Sequence, residues 1–340
     1  MLIRGDKLAM KTAEPRIFSS GSATRLETRE VDDLAQYMKH ADIELIQISR
    51  AQSNSKLTQV SFDNVNLQVG HYGAAYISNA TTDKKRSGLV FKTNRDFPTT
   101  CNGYGIDSKS FMYYGENSEH LAINKGPCRW IYISFRPDYL EESLLEPLRA
   151  KLDARRNQSS CLRCQEQLLL DSFYAIVNEI SELVNSSPLI FQNTDIIKGM
   201  EWSLLDSQML VMSNALNSSA KNMERSKKSR ESIIRQSIDF LKSNSYEPIH
   251  VLDLCNALNV GLRTLYYAYR EYYGISPVRY LRLLRYAKAR RDLIKSNRDR
   301  TTVTDIAAKW HFWHFGRFSV EYKALYGESP SETLNKGMGA

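Results

Sequence analysis

What this chain of 340 residues lacks narrows its class before any motif is read. No stretch approaches the roughly 18 consecutive apolar residues of a membrane-crossing helix. Leu2 to Ala9 is too short and too polar for the apolar core of a secretory signal, so the expectation is a cytoplasmic protein that makes no membrane contact. The five cysteines (Cys101, Cys128, Cys161, Cys164 and Cys255) are an odd number, which speaks for reduced thiols rather than a disulfide framework. Cys161-x-x-Cys164 has no second such pair and no histidine at zinc spacing, so these are expected to be structural thiols borne on a helix. Gly103-x-Gly105 lacks the rest of a dinucleotide fingerprint and reads as a turn. No His-x-His pair is present between residues 43 and 135, so neither a metal nor a cofactor is expected.

Charge is present, but unevenly. The net charge of +8 hides a division: Lys221 to Ala340 holds 22 Lys and Arg against 12 Asp and Glu, and the first 220 residues hold 24 against 26. A basic last third on a nearly neutral body is the footprint of a polyanion binder. That same third repeats itself. Val251-Leu252-Asp253-Leu254 returns 52 residues later as Val303-Thr304-Asp305-Ile306. Tyr273-Gly274-Ile275-Ser276-Pro277 returns after 53 residues as Tyr326-Gly327-Glu328-Ser329-Pro330, and Leu265 and Tyr269 answer to Phe318 and Tyr322. One helical unit is encoded twice.

Each unit reads as helix, tight turn, helix. Val251, Leu254, Cys255 and Leu258 fall on one helical face, Asn259-Val260-Gly261 turns the chain, and Leu262 to Tyr273 forms the second helix. Gly274 ends that helix, and Ser276-Pro277 caps and starts the next. In the second copy Thr302-x-x-Asp305 and Ser329-Pro330-Ser331-Glu332 open helices as capping boxes. This is the helix-turn-helix design, whose second helix enters the DNA major groove. The joining helix, Ser276 to Ile294, holds 19 residues, roughly 28 Å at 1.5 Å per residue. It would set two reading helices about one turn of B-DNA, near 34 Å, apart. Val278, Leu281, Leu284 and Ala287 are expected as its buried stripe, with Arg279, Arg282, Arg285, Lys288, Arg290 and Arg291 covering the rest.

Upstream, residues 1–28 read as a loose segment, and Val31 to about His40 as a short helix. From Ile43 to Phe135 alternating β-rich runs (around 43–48, 57–61, 65–69, 75–77, 89–91, 111–113 and 130–135) predict an antiparallel sandwich or barrel. Helices are expected from Pro137 to about Leu148, Leu162 to Val184 and Thr194 to Leu216, then a polar linker over 218–230. The expected class is therefore α+β and multidomain: a β-rich sensing and dimerisation part over 1–217 and an all-α double helix-turn-helix part over 231–340.

Residues 233–336 resemble the DNA-binding domain of AraC-family bacterial transcription regulators. The resemblance rests on Arg263-Thr264-Leu265, both Gly-x-Ser-Pro corners, and Phe312-Trp313-His314-Phe315-Gly316-Arg317-Phe318. Within that family, Val251 to Asn256 and the Phe-Trp-His segment look most like a regulator of ethanolamine-utilisation genes, over this third alone. The resemblance implies a cupin-like effector-binding and dimerisation part for residues 15–216, promoter DNA and RNA polymerase as partners, a homodimer, and an activator controlled by a small molecule through the linker.

With Leu265 and Tyr269 inward, Arg263, Tyr266 and Tyr267 face the bases, and Arg263 is the guanine reader by its forked donors. With Phe318 and Tyr322 inward, His314, Arg317, Val320 and Glu321 face outward on the second unit. Tyr267 and Val320 stand where the family often has basic residues, and His311 where it often has glycine. Arg270, Arg282, Arg285, Thr302 and Ser331 are phosphate candidates, the last two by lying at helix N-termini. Trp310, Phe312, Trp313, Phe315 and Phe318 are expected in the core rather than as base-stacking groups. For an effector pocket the sequence offers Tyr72, Tyr76, Tyr104, Tyr113, Tyr114, Trp130, Tyr132, Arg95 and His71 without choosing among them. Two other readings stand beside the regulator. One is a non-specific architectural DNA binder; the other is a DNA-alkyl-repair enzyme using Cys128, whose Pro127-Cys128-Arg129 lacks the histidine of that nucleophile motif.

Overall fold

The computed structural model describes residues 16–93, 96–138, 150–152, 155, 158–217, 228–244, 249–297 and 300–336. Within them thirteen strands form two antiparallel sheets. The strands are β1 (Arg16–Ser20), β2 (Ala23–Thr28), β3 (Ala41–Gln47), β4 (Ser55–Ser61), β5 (Val65–Tyr72), β6 (Tyr76–Thr82) and β7 (Ser87–Lys92). After them come β8 (Thr99–Cys101), β9 (Tyr104–Ile106), β10 (Ser110–Tyr114), β11 (Glu119–Asn124), β12 (Cys128–Phe135) and β13 (Ser159–Arg163). Eight strands run in the order β1-β2-β4-β5-β12-β7-β10-β13 and five in the order β3-β6-β11-β8-β9.

Residues 16–28, expected to be loose, are paired strands: Ala23 to Thr28 registers against Val60 to Ser55. Their Ser and Thr pair through the backbone, while Ala23 is buried on one face of the sheet and Leu26 on the other. The helix expected from Leu162 begins later, at Gln167, because residues 159–163 add β13 to the edge of the larger sheet against β10. Cys161 therefore sits on a strand, not a helix, and Cys164 in the connection. The helix expected over 137–148 falls almost wholly outside the described residues, as does the linker over 218–227. The following helix starts at Lys228, inside the span assigned to the linker.

The alternation of each strand assigns its two faces. On β12, Ile131, Ile133 and Phe135 join Phe173, Val177 and Leu204 of two helices, α2 (Gln167–Ser186) and α3 (Thr194–Asn217), which cover the outer face of the larger sheet. Cys128, Trp130 and Tyr132 point the other way, between the sheets, with Tyr72, Tyr76 and Leu45. Gly70 makes room for this: a Cβ there would lie 2.0 Å from the Trp130 ring. A short helix, α1 (Val31–Tyr37), closes one end with Leu34.

Among the described residues seven helices follow: α4 (Lys228–Ser243), α5 (Val251–Leu258), α6 (Leu262–Tyr273), α7 (Pro277–Lys295), α8 (Val303–Lys309), α9 (Phe315–Tyr326) and α10 (Pro330–Lys336). They do not hang free. Ile46, Ile77, Leu121 and Ile123, from the outer face of the smaller sheet, belong to the same core as Tyr269, Tyr273, Tyr280 and Leu284. Fully burying each such side chain contributes roughly 1.5–3 kcal/mol. The polar seam is matched as well. Asn79 donates to the Tyr280 hydroxyl (2.9 Å) and accepts from that of Tyr273 (3.0 Å). Gln47 donates to the Leu325 carbonyl at 2.9 Å. Arg290 meets Glu30 at 2.7 Å and Glu328 at 3.0 Å, and Arg291 meets Asp32 at 2.9 Å. Burial opposes the Arg290 charge, but Tyr322, Glu30 and Glu328 outweigh it and raise its pKa. No helix among the described residues is long and apolar enough to cross a membrane.

Candidate nucleic-acid interface

In the first unit α5 runs into a turn at Asn259, whose φ of 51° is left-handed, a conformation asparagine tolerates. Gly261 is the N-cap of α6, and Gly274 ends that helix at φ 65°. Leu265, Ala268 and Tyr269 are fully buried. Arg263, Tyr267 and Arg270 are exposed and Tyr266 half-buried. The outward face carries a small assembly. Arg263 Nη2 donates to the Tyr267 hydroxyl at 3.3 Å, with its guanidinium 5.5 Å from the ring centre. Arg230, ion-paired with Glu271, also lies over the Tyr267 ring. These contacts present Arg263 preformed while leaving its remaining donors to the solvent side.

The second unit repeats the scaffold. Thr302 and Asp305 cap α8 reciprocally: the Thr302 amide donates to Asp305 Oδ2 (2.9 Å) and the Asp305 amide to Thr302 Oγ1 (3.1 Å). The Thr302 hydroxyl, donating to Asp305 Oδ2 at 2.7 Å, and then the Thr302 amide hold the Asp305 carboxyl below its ordinary pKa. At α10 the cap is Ser329 with Glu332 (2.7 and 3.2 Å), while Ser331 is exposed in the first turn. Phe318 and Tyr322 are buried as expected, and His314, Arg317 and Val320 are exposed. Glu321 is engaged instead. Arg317 Nε donates to it at 2.8 Å, Arg282 approaches it at 2.5 Å, and the Tyr286 hydroxyl donates to it at 3.0 Å. Burial pushes the Glu321 carboxyl up, but those three partners prevail and lower its pKa. Arg282 and Arg317 thus share one carboxylate across α7 and α9.

Three expectations are corrected here. Val278 is not on a buried stripe; it is 48% exposed. Tyr280, Leu283, Tyr286, Ala289 and Leu293 are buried together with Leu281 and Leu284, because α7 is packed by the surrounding helices and by the smaller sheet. Arg279 is exposed as expected, but the other cations expected there are not a solvated coat. Arg290 and Arg291 turn to the acids of the β-rich part, and Arg285 lies 5.3 Å over the Phe312 ring, its pKa lowered by burial and then by Arg282. In the aromatic group, Trp310, Phe312 and Phe318 are core, but Trp313 is 70% exposed and Phe315 is exposed too. Trp313 precedes the N-cap of α9, outside the helical periodicity that assigns its neighbours. With Leu262 it joins the expected Val320 and gives the outward face apolar groups that the sequence reading did not assign to it.

Of the residues considered for a ligand, Tyr113 faces α2, whereas Tyr72, Tyr76, Tyr114, Trp130 and Tyr132 lie between the sheets. Tyr104 is half-buried beside Cys101 and Tyr114. His71 lines a cleft of about 310 Å³ with Lys56 and Arg129, and Arg95 lies outside the described residues. A second open cleft, of about 470 Å³, runs between Ile48 and Ser49 of the β-rich part and Arg279, Arg282 and Leu325 of the helices. Cys128 is 2% exposed, and burial raises its thiol pKa, the reverse of what activates a nucleophile.

Residues 254–336 match the family described as "Helix-turn-helix domain". Over 102 residues the chain is 37% identical to the "Probable thc operon regulatory protein" of Rhodococcus erythropolis, a match covering 30% of this chain and 31% of that protein. Over 99 residues it is 29% identical to "XylDLEGF operon transcriptional activator 3" of Pseudomonas putida, covering 29% and 30%. The matches span about a third of the length of these relatives. Among solved structures, the AraC-like transcriptional activator CuxR aligns with 79% of this chain and 96% of its own at 11% identity, with a TM-score of 0.39.

Proposed function

We propose that this chain is a sequence-specific DNA-binding transcription regulator of the AraC type, acting as an activator under the control of a small-molecule effector. One observation carries the reading. Two helix-turn-helix units, joined by the 19-residue α7, each bury the inner face of a reading helix and turn arginine outward. The helix-turn-helix match and the similarity to two operon regulators over the same third support it. Arg263 is the principal base reader, with Tyr266, Tyr267, His314, Arg317 and Val320 completing the face. Arg270 and the amides at the N-terminus of α8 hold phosphate. The likeness to an ethanolamine-operon regulator concerns the helix-turn-helix third alone and assigns no ligand. A homodimer, contact with RNA polymerase and a cytoplasmic location complete the proposal.

The engagement of Glu321 and Arg282 favours a division of labour, in which the first unit specifies sequence and the second grips the backbone. The test is selection of binding sites by the full-length protein from a random duplex pool. Enriched half-sites about one helical turn apart are expected. Binding without enrichment, with a steep salt dependence, would instead leave the architectural reading standing.

A further inference from the structure

The outer face of the larger sheet is apolar where α2 and α3 pack on it, but polar at one end. There the register sets three basic residues side by side. Lys56 on β4 stands opposite His71 on β5, and His71 stands opposite Arg129 on β12. Residues directly opposite in antiparallel strands share a face, and like charges so placed repel. Neighbouring strands lie about 4.8 Å apart, so the three bases form one row roughly 10 Å long. The row floors the cleft of about 310 Å³, and α2 walls it with Asn178, Ser181 and Asn185.

Acids answer this row only from its edges. Glu27, next in register beyond Lys56, reaches the ammonium at 4.0 Å and is shared with Asn54, which donates to it at 3.0 Å. Glu182 is the single carboxylate lining the cleft, and it is exposed. Arg129 Nη2 donates to Asn178 Oδ1 at 2.7 Å. Among the described residues its Nε and Nη1 donate to no protein oxygen. Burial lowers the Arg129 pKa against the pull of Glu182. Burial, and then the charges of Lys56 and Arg129, lowers that of His71, whose Nε2 lies 3.2 Å from the Ser53 hydroxyl. The row therefore holds two fixed cations and a ring that their charges keep neutral. Beyond the Arg129–Asn178 bond a second cleft, of about 210 Å³, is lined by Thr93, Ser108, Gln167 and Asp171, groups that bond hydroxyls.

We propose that these adjoining clefts bind a small phosphorylated polyol, its phosphate on the row of Lys56, His71 and Arg129 and its hydroxyls in the second cleft. A phosphate monoester brings a dianion for two fixed cations, and three outer oxygens for donors arriving from three strands. A carboxylate, with one charge and two oxygens, would leave a member of the row unanswered. The site lies on the outer face of the sheet and goes beyond the regulator reading without depending on it. A ligand held there ties β4, β5 and β12 to α2.

The experiment is thermal unfolding of the full-length protein with inorganic phosphate and with the terminal monophosphates of glycerol, ribose and glucose. The three parent polyols, and sodium chloride at matched ionic strength, are the controls. At least one ester is expected to raise the midpoint by several degrees, at lower concentration than inorganic phosphate, with no rise from its parent or from chloride. In Lys56→Gln and in Arg129→Gln the same rise should need about tenfold more ligand. Lys56 is exposed, so its variant keeps the test decisive even where Arg129→Gln fails to fold. The site is overturned if no phosphate compound shifts the wild type or if chloride matches the esters. It is equally overturned if Lys56→Gln responds as the wild type does, which would put the phosphate on the basic helices instead. Inorganic phosphate acting as strongly as every ester would remove the second cleft from the site.

Discussion

The two helix-turn-helix units are one design worked to different ends. Their scaffolds agree closely: Leu265 and Phe318 fill the same place, Tyr269 and Tyr322 another, and Gly274 and Gly327 both end a helix at positive φ. Their outward faces do not agree. On α6 the arginine leans on a tyrosine and keeps its charge available; on α9 the arginine is tied to Glu321, which it shares with Arg282. Duplication preserved what folds the unit and left free what reads with it. An inward position is held by packing against many neighbours, whereas an outward one is constrained only by its ligand.

Paired substitutions test the comparison, beginning with the buried positions. Leu265→Ala and Phe318→Ala should each destabilise the protein by about 2–5 kcal/mol in urea unfolding. A loss confined to one of them would mean that the two cores are not equivalent. On the outward faces, Arg263→Ala should cost about 1–3 kcal/mol on a selected site and much less on random DNA. Arg317→Ala should cost less, and similarly on both. Equal discrimination by the two arginines would remove the division of labour.

Glu321→Gln should free Arg282 and Arg317, raising affinity for random duplexes several-fold and steepening the salt dependence. Because the folded pKa of Glu321 lies below its ordinary value, its ionised form contributes stability above about pH 4.3. That contribution fades as pH falls through the lowered value, so wild type and Glu321→Gln should converge in acid; a gap that widened there would reverse the assignment. The smallest effect belongs to the turns. His311 holds φ 57° where a Cβ is strained, so His311→Gly should stabilise by roughly 0.5–1 kcal/mol, while Asn259→Gly should change little, asparagine being at ease there.

The helical third was legible in the sequence almost residue by residue: α5 and α6 begin and end where apolar spacing and Gly274 put them. Local rules suffice there, since caps and periodicity act within a few residues. Strands β8, β9 and β11 escaped because they are short or mix polar with apolar residues, and only partners elsewhere in the sheet stabilise them. The inward and outward faces of the reading helices followed from helical period. The Glu321 cluster did not, because Tyr286 and Arg282 reach it from another helix, Tyr286 from 35 residues away. Nor did the turn of Arg290 toward Glu30, which depends on how the β-rich part docks.

The core that the helices share with Ile46, Ile77, Leu121 and Ile123 makes the reader something other than a detachable module. Its tyrosines 269, 273 and 280 are finished on one side by another part of the chain, down to the hydrogen bonds of Asn79. Exchanging this reader for that of a relative would carry over the reading faces but not the surface that seats them. A working hybrid would need the outward residues of β3, β6 and β11 to be exchanged with it, so that heredity and design alike must treat the seam, rather than the helix-turn-helix pair, as the unit of inheritance.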